Sequence, residues 1–144
     1  MTLFWRNQDH IRKWFFYSKV ITPEQHQNWF EGYQERDDDF VFIIEEIRAG
    51  FRPVGQIALY HIDWAALRAE YGRIMIGEAD AAGRGLARAA SLAVLEIARQ
   101  QLGLREIYLE VYADNTRAIS LYETVGFKTE KLCDNIITMR VAMK

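Results

Sequence analysis

Asn115, Ala118 and Tyr122 stand three and four residues apart in the segment 114–127, so on a helix they form one stripe carrying an amide, a small residue and a phenol. Such a stripe lets a ligand approach closely at Ala118 while Asn115 and Tyr122 offer it hydrogen bonds. Asn115 is also placed to cap that helix, and Gly126 to end it. Upstream, Ala82-Gly83-Arg84-Gly85-Leu86-Ala87 is a small-residue turn opening a second helix, with apolar positions at Leu86, Ala90, Ala93, Val94 and Ile97 and a stop at Gly103. Free N–H groups and the positive end of the macrodipole at such a turn suit a phosphate or pyrophosphate, and Arg84 and Arg88 add charge. The turn lacks the Lys-Ser or Lys-Thr ending of a P-loop, and the third small position of a dinucleotide fingerprint falls on Arg88.

These segments need a scaffold. Asn7 is placed to cap a first helix carrying Ile11, Trp14 and Phe15, and Thr22-Pro23-Glu24-Gln25 opens a second that ends near Arg36. Asp37-Asp38-Asp39 reads as a solvated loop. Strands follow at 40–47, 54–62 and 71–79, then the Gly85 helix, a strand at 105–112, the Tyr122 helix, and strands at 127–132 and 136–143. The order α-α-β-β-β-α-β-α-β-β predicts an α+β domain over 1–144, a mixed, mostly antiparallel sheet flanked by helices. At 144 residues, half of them hydrophobic, the chain suits one domain. A net charge of −2 argues against nucleic acid and anionic membrane as partners. The single cysteine, Cys133, excludes an internal disulfide and has no His or Cys cluster beside it, so no metal is expected and the cytoplasm is the expected setting.

The two glycine- and asparagine-marked segments, in this order and with a strand between them, resemble the GNAT superfamily of acetyl-CoA-dependent N-acetyltransferases. One position departs: Ala82 stands where the family has Arg or Gln. The resemblance implies that acetyl-CoA is the acyl donor and that backbone amides of Gly83, Arg84, Gly85, Leu86 and Ala87 hold its pyrophosphate. It also implies that Ile76 and Gly77 pair with the pantetheine arm, that Asn115 and Ala118 contact that arm from the other side, and that Tyr122 faces the sulfur. The fold it implies usually begins with a strand, for which Leu3-Phe4-Trp5 is too short. The run at 40–44 would then be an apolar edge, which a second copy of the chain or residues preceding Met1 would cover.

Acyl transfer to an amine requires a free-base nucleophile, a donor to the developing oxyanion and a proton for the departing thiolate. Tyr122 is the expected acid, and a backbone N–H near Ile76 or Gly77, freed by a bulge, the expected oxyanion donor. The base is left among His61, Glu78 and Asp63 at strand ends. For the acceptor, Trp5-Arg6-Asn7, Ile11-Arg12-Lys13-Trp14 and 21–30 resemble sugar-nucleotide N-acetyltransferases of the pseudaminic-acid type and, less closely, ribosomal-protein N-terminal acetyltransferases. That resemblance makes a nucleotide-linked 4-amino sugar the expected substrate, with Arg6, His26 and Trp29 as contacts. A non-catalytic acetyl-CoA sensor on the same fold is the alternative from another class.

Overall fold

The structure, a computed structural model, describes residues 1–143. The expected meander is present as β1 (Phe40–Glu46), β2 (Arg52–Asp63) and β3 (Arg68–Ile76), paired antiparallel. β4 (Glu106–Tyr112) joins β3 in parallel, and β5 (Lys128–Cys133) and β6 (Ile136–Ala142) complete a six-stranded sheet in the order β1-β2-β3-β4-β6-β5. The third strand ends earlier than expected, because residues Ala79–Ala81 turn into a short 3-10 segment. The helices are α1 (Thr2–Arg6), α2 (Asp9–Arg12), α3 (Pro23–Gln34), α4 (Leu86–Gln100) and α5 (Thr116–Thr124).

The two faces of β3 reveal its central irregularity. Ala69 and Tyr71 are buried in the main core with Ile57, Leu59, Ile107 and Leu109, whereas Met75 belongs to a separate cluster with Trp5 and Ile11. Tyr71 and Met75 are four residues apart and would share a face on a regular strand. The register against β2 supplies the reason: Ala58 faces Gly72 and Gln56 faces Met75, so β3 carries one extra residue between them. This bulge, with Arg73 at φ +51°, reverses the alternation.

The N-terminus departs most from expectation. Residues 2–6 form a helix, not a stub of strand, and Asn7 ends it instead of starting the next; both groups of its side-chain amide bond the backbone of Ile21. Trp5 is 1% exposed and fixes this region to the end of β3, donating from Nε1 to Glu78 Oε1 at 2.8 Å while its ring lies on Gly77. α3 begins with the expected capping box and Pro at its first turn but buries no side chain, so its aromatic face is not core. Among the described residues β1 has no outer neighbour strand, yet α3 covers part of that edge: Tyr33 Oη accepts the Val41 N–H at 3.0 Å. A Cβ on Gly77 would sit 1.9 Å from Trp5 Cγ. Gly77→Ala is therefore expected to lower unfolding free energy by about 1–3 kcal/mol, read as a shift of the urea midpoint at unchanged slope; an unshifted midpoint would show that the Trp5 anchor yields at no cost.

Candidate active site

β3 and β4 are paired at only three positions, from Arg68↔Glu106 to Glu70↔Tyr108, although β3 continues to Ile76 and β4 to Tyr112. Beyond Glu70 the facing strand edges separate, and the gap is a cleft of about 500 Å³. Its walls are the bulged half of β3, the end of β4, the 79–88 turn, α5 and the α2 region.

The 79–88 turn forms the end of the cleft suited to anions. Gly83 and Gly85 hold φ +75° and +77°, the left-handed conformation glycine adopts without strain, and α4 starts at Gly85 with no side-chain cap. The first-turn N–H groups of Leu86, Ala87 and Arg88 thus have no intrahelical acceptor, and all three residues line the cleft. Arg88 and Arg117 line it too, whereas Arg84 turns away to pair with the buried Glu46. Ala82 is present in the lining with only a methyl group.

α5 supplies the opposite wall. Asn115 caps it, Oδ1 accepting the Ala118 N–H at 3.3 Å, which leaves the amide nitrogen without an acceptor among the described residues. Asn115, Ala118 and Tyr122 all line the cleft. Tyr122 is 7% exposed, its ring is packed edge-on against Tyr71 and Phe127, and no described residue hydrogen-bonds its hydroxyl. Burial pushes its pKa up to about 12. Against a thiol near 8.5 in water, proton donation from such a phenol is uphill by roughly 5 kcal/mol. A thiolate forming in the same cleft loses water as well, which raises its own basicity and narrows that difference. Tyr71 is also buried, with its pKa raised by desolvation, but its hydroxyl is committed to Ser91 Oγ, which in turn donates to the Ala87 carbonyl at 2.7 Å.

The bulge forms the floor. Gln56 Nε2 donates to the Arg73 carbonyl at 3.0 Å, and the Arg73 guanidinium bonds both oxygens of the buried Asp39 at 2.9 and 3.0 Å while stacking 4.0 Å over the Tyr60 ring. Gly72 is required where it is, since a Cβ there would lie 2.7 Å from Tyr60 Oη. His10, Trp14, Phe15, Phe16 and Glu110 line the remaining side.

Comparison with known proteins agrees with this geometry. The family model described as Acetyltransferase (GNAT) domain matches residues 1–128. The chain belongs to the GNAT acetyltransferase family. A mycothiol acetyltransferase of Salinispora tropica is 34% identical over 112 residues, 73% of this chain and 36% of the relative, so the chain spans about a third of that protein's length. A spermidine N(1)-acetyltransferase of Vibrio cholerae is 25% identical over 124 residues, 86% of this chain and 69% of the relative. The solved spermidine N-acetyltransferase from Vibrio cholerae in complex with CoA and spermine superposes with a TM-score of 0.86 at 22% identity, over 96% of this chain and 85% of that one, which shows the shared fold.

Several residues expected in this GNAT site stand elsewhere. Gly77 is absent from the lining: its N–H donates to the Val54 carbonyl at 2.7 Å, its own carbonyl accepts from Gln8, and Trp5 covers it. The bulge of β3 sits at Arg73 and Ile74, three residues before the position expected, while Ile76 does line the cleft. Glu78 is held by Trp5, and Asp63 Oδ1 accepts the N–H groups of Ala65 and Ala66 in a turn. His61 lies outside the cleft with its side chain 58% exposed. Arg6 bonds the Tyr17 carbonyl and stacks on Phe15, and His26 stacks on Trp29 on the exposed face of α3, so none of the three expected sugar contacts lines the cleft. His10, Tyr60, Arg73 and Glu110 were missed. Only Glu110 left a signal, its alternation with the buried Leu109 and Val111 putting it on the other face of β4.

Because the Asn115 side chain caps α5 and the Tyr122 hydroxyl has no partner among the described residues, their substitutions separate. Asn115→Ala is expected to reduce stability by about 1 kcal/mol and Tyr122→Phe to leave it within experimental error, both measured by chemical denaturation; a Tyr122→Phe loss as large as that of Asn115→Ala would place a structural hydrogen bond on the phenol.

Proposed function

We propose that this chain transfers the acetyl group of acetyl-CoA to a small primary amine. The observation that carries the reading is the parting of β3 from β4 beside an uncapped, glycine-led helix N-terminus, with a free phenol facing the gap. The N–H groups at the start of α4, with Arg88 and Arg117, fit a pyrophosphate. The unpaired edges of β3 and β4 and the free amide nitrogen of Asn115 fit a chain with alternating amide groups such as pantetheine. The thioester carbonyl then comes beside the bulge at Arg73 and Ile74, where a backbone N–H takes the place of the oxyanion donor expected at Gly77. Tyr122 provides the proton for the thiolate.

The acceptor enters on the side of α2, between His10, Phe15, Phe16 and Tyr60. Among the described lining residues Glu110 is the one carboxylate, against Arg73, Arg88 and Arg117. One carboxylate attracts one ammonium; a polyamine would need several. The relatives are named as a mycothiol acetyltransferase and a spermidine N(1)-acetyltransferase, and this cleft favours an acceptor with one basic amine over a polycation. A nucleotide-linked amino sugar stays within that class, supported by the N-terminal resemblance alone, since Arg6, His26 and Trp29 stand apart from the cleft.

Thiol release from acetyl-CoA is the test, with amino-sugar nucleotides, aralkylamines, N-terminal peptides and spermidine as acceptors. Release is expected with a monoamine and weakly with spermidine, and Tyr122→Phe is expected to lower kcat by about a hundredfold at near-normal acetyl-CoA affinity. CoA binding without release from any amine would instead support a sensor module. The uncovered part of β1, including Ile43 at 40% exposure, fits association with a second copy; a dimer or larger mass by light scattering is expected at micromolar concentration, and a monomer mass would remove that reading.

A further inference from the structure

Tyr60 and His61 are consecutive residues of β2, and on a regular strand their side chains would point to opposite faces. Here both reach one carboxylate. The Tyr60 hydroxyl donates to Glu70 Oε2 at 3.0 Å, and His61 Nδ1 lies 2.9 Å from Glu70 Oε1. A bulge makes this convergence: β2 carries an extra residue between Tyr60 and Asp63 against β3, and His61 holds φ +49°, a left-handed conformation that costs energy for a residue with a Cβ. Gly72 makes room for the Tyr60 hydroxyl. Tyr60 lines the cleft, the Glu70 side chain is 13% exposed, and the His61 side chain is 58% exposed. The three groups therefore run from the cleft, through a shielded carboxylate, to water.

From this geometry we infer that Tyr60, Glu70 and His61 form a relay that carries the proton lost by the acceptor amine out of the cleft. The inference rests on the acetyltransferase reading above. As the amine nitrogen bonds the thioester carbon, its N–H proton passes to Tyr60 Oη while the Tyr60 proton passes to Glu70 Oε2. At rest His61 donates its Nδ1–H to the Glu70 carboxylate; once Glu70 is neutral the exposed ring exchanges with water to the Nε2–H tautomer, and the carboxyl turns and gives its proton to the freed Nδ1. The imidazolium then releases its Nε2 proton to water, which restores the Nδ1–H tautomer that began the cycle. Tyr60 and Glu70 end as they began, and the thiolate takes a different proton, from Tyr122, which regains one from water as the products leave. Tyr60 never has to carry a full negative charge, which suits a phenol whose ionisation is opposed by burial and by the Glu70 carboxylate.

The surrounding charges are compatible with this route. Arg73 stacks on Tyr60 and is neutralised by Asp39; Arg68 covers Tyr108, the β4 register partner of Glu70; the neutral phenol of Tyr122 is near Tyr60; and the carboxylate near His61, Asp38, is paired with Arg36. His61 and Glu70 are positioning residues, since neither touches the amine, and Tyr60 is the member that does.

His61→Asn tests the relay without disturbing the backbone, because asparagine tolerates the left-handed conformation and its amide can still donate to Glu70. In weak buffer near neutral pH, kcat is expected to fall at least about tenfold, the lower end of what positioned proton transfer contributes, with unchanged KM for acetyl-CoA. Added imidazole is expected to restore it, while Tyr60→Phe, which removes the group inside the cleft, is expected to stay slow. A His61→Asn variant as fast as the parent in weak buffer, or one whose deficit imidazole leaves in place, overturns the relay alone. A parent protein that acetylates no amine overturns the acetyltransferase reading, and the relay with it.

Discussion

Everything at this site depends on a parallel strand pair that stops pairing. β3 and β4 share three register positions and then diverge, leaving a row of backbone N–H and C=O groups on each facing edge. A buried backbone group without a partner costs about 1–3 kcal/mol, so such an edge is tolerated where solvent or a ligand can reach it. The sheet makes the opening affordable by holding both strands firmly on their other sides. β4 pairs with β6 along its full length, and β3 pairs with β2 on both sides of the bulge. The extra residue at Arg73 bends β3 away and turns Met75 towards the N-terminal helices, while Tyr71 remains in the core beneath Tyr122. One irregularity thus opens the cleft and seats the segment that closes its acceptor side.

That closing segment is held by few but specific contacts. Trp5 fills the place a side chain at Gly77 would take and bonds Glu78, while Gln8 bonds the Gly77 carbonyl. The end of β3 is therefore used twice, once as a cleft wall at Ile76 and once, a residue later, as an anchor. Glu46 has a matching role at the other end of the cleft, where its buried carboxylate pairs with both Arg84 and Arg52. The phosphate-fitting turn then presents backbone, with Arg84 spent on holding it in place.

What could be read from the sequence was what short-range periodicity encodes. Asn115, Ala118 and Tyr122 line the cleft because a helix dictates their spacing, and Gly83 and Gly85 because only local backbone geometry is involved. The same holds for the capping box at Thr22 and for the order of the strands. The positions that went astray are decided by partners far away in the chain. Trp5 and Glu78 are 73 residues apart, and Arg84, which follows β3, meets Glu46 at the end of β1. The bulges at Arg73 and His61 are properties of register between strands, so nothing within either segment marks them. α3 is a related case: its stripe of His26, Trp29 and Tyr33 at helical spacing meets the β1 edge through Tyr33, yet the helix packs so lightly there that it buries none of its side chains and brings His26 and Trp29 to no cleft.

The cleft contains three phenols, Tyr71 and Tyr122 buried and Tyr60 half-buried, and what each bonds sets what it can do. Tyr71 is locked through Ser91 to the backbone of α4, so its hydroxyl has no proton to spare and its ring serves as packing. Tyr60 gives its proton to a carboxylate, which leaves its oxygen lone pairs facing the acceptor side. Among the described residues none hydrogen-bonds Tyr122, so its proton is free for whatever base forms beside it. All three are driven towards the neutral form by desolvation, so burial alone does not tell them apart. Hydrogen bonding does: a phenol already donating to a carboxylate is an acceptor towards the cleft, and one that donates to nothing is the available acid. Acyl transfer to an amine needs a proton removed on one side and supplied on the other. Tyr60 and Tyr122 offer those opposite polarities across a single gap, and the fold creates the difference between them by placing Glu70 beside one and leaving the other alone.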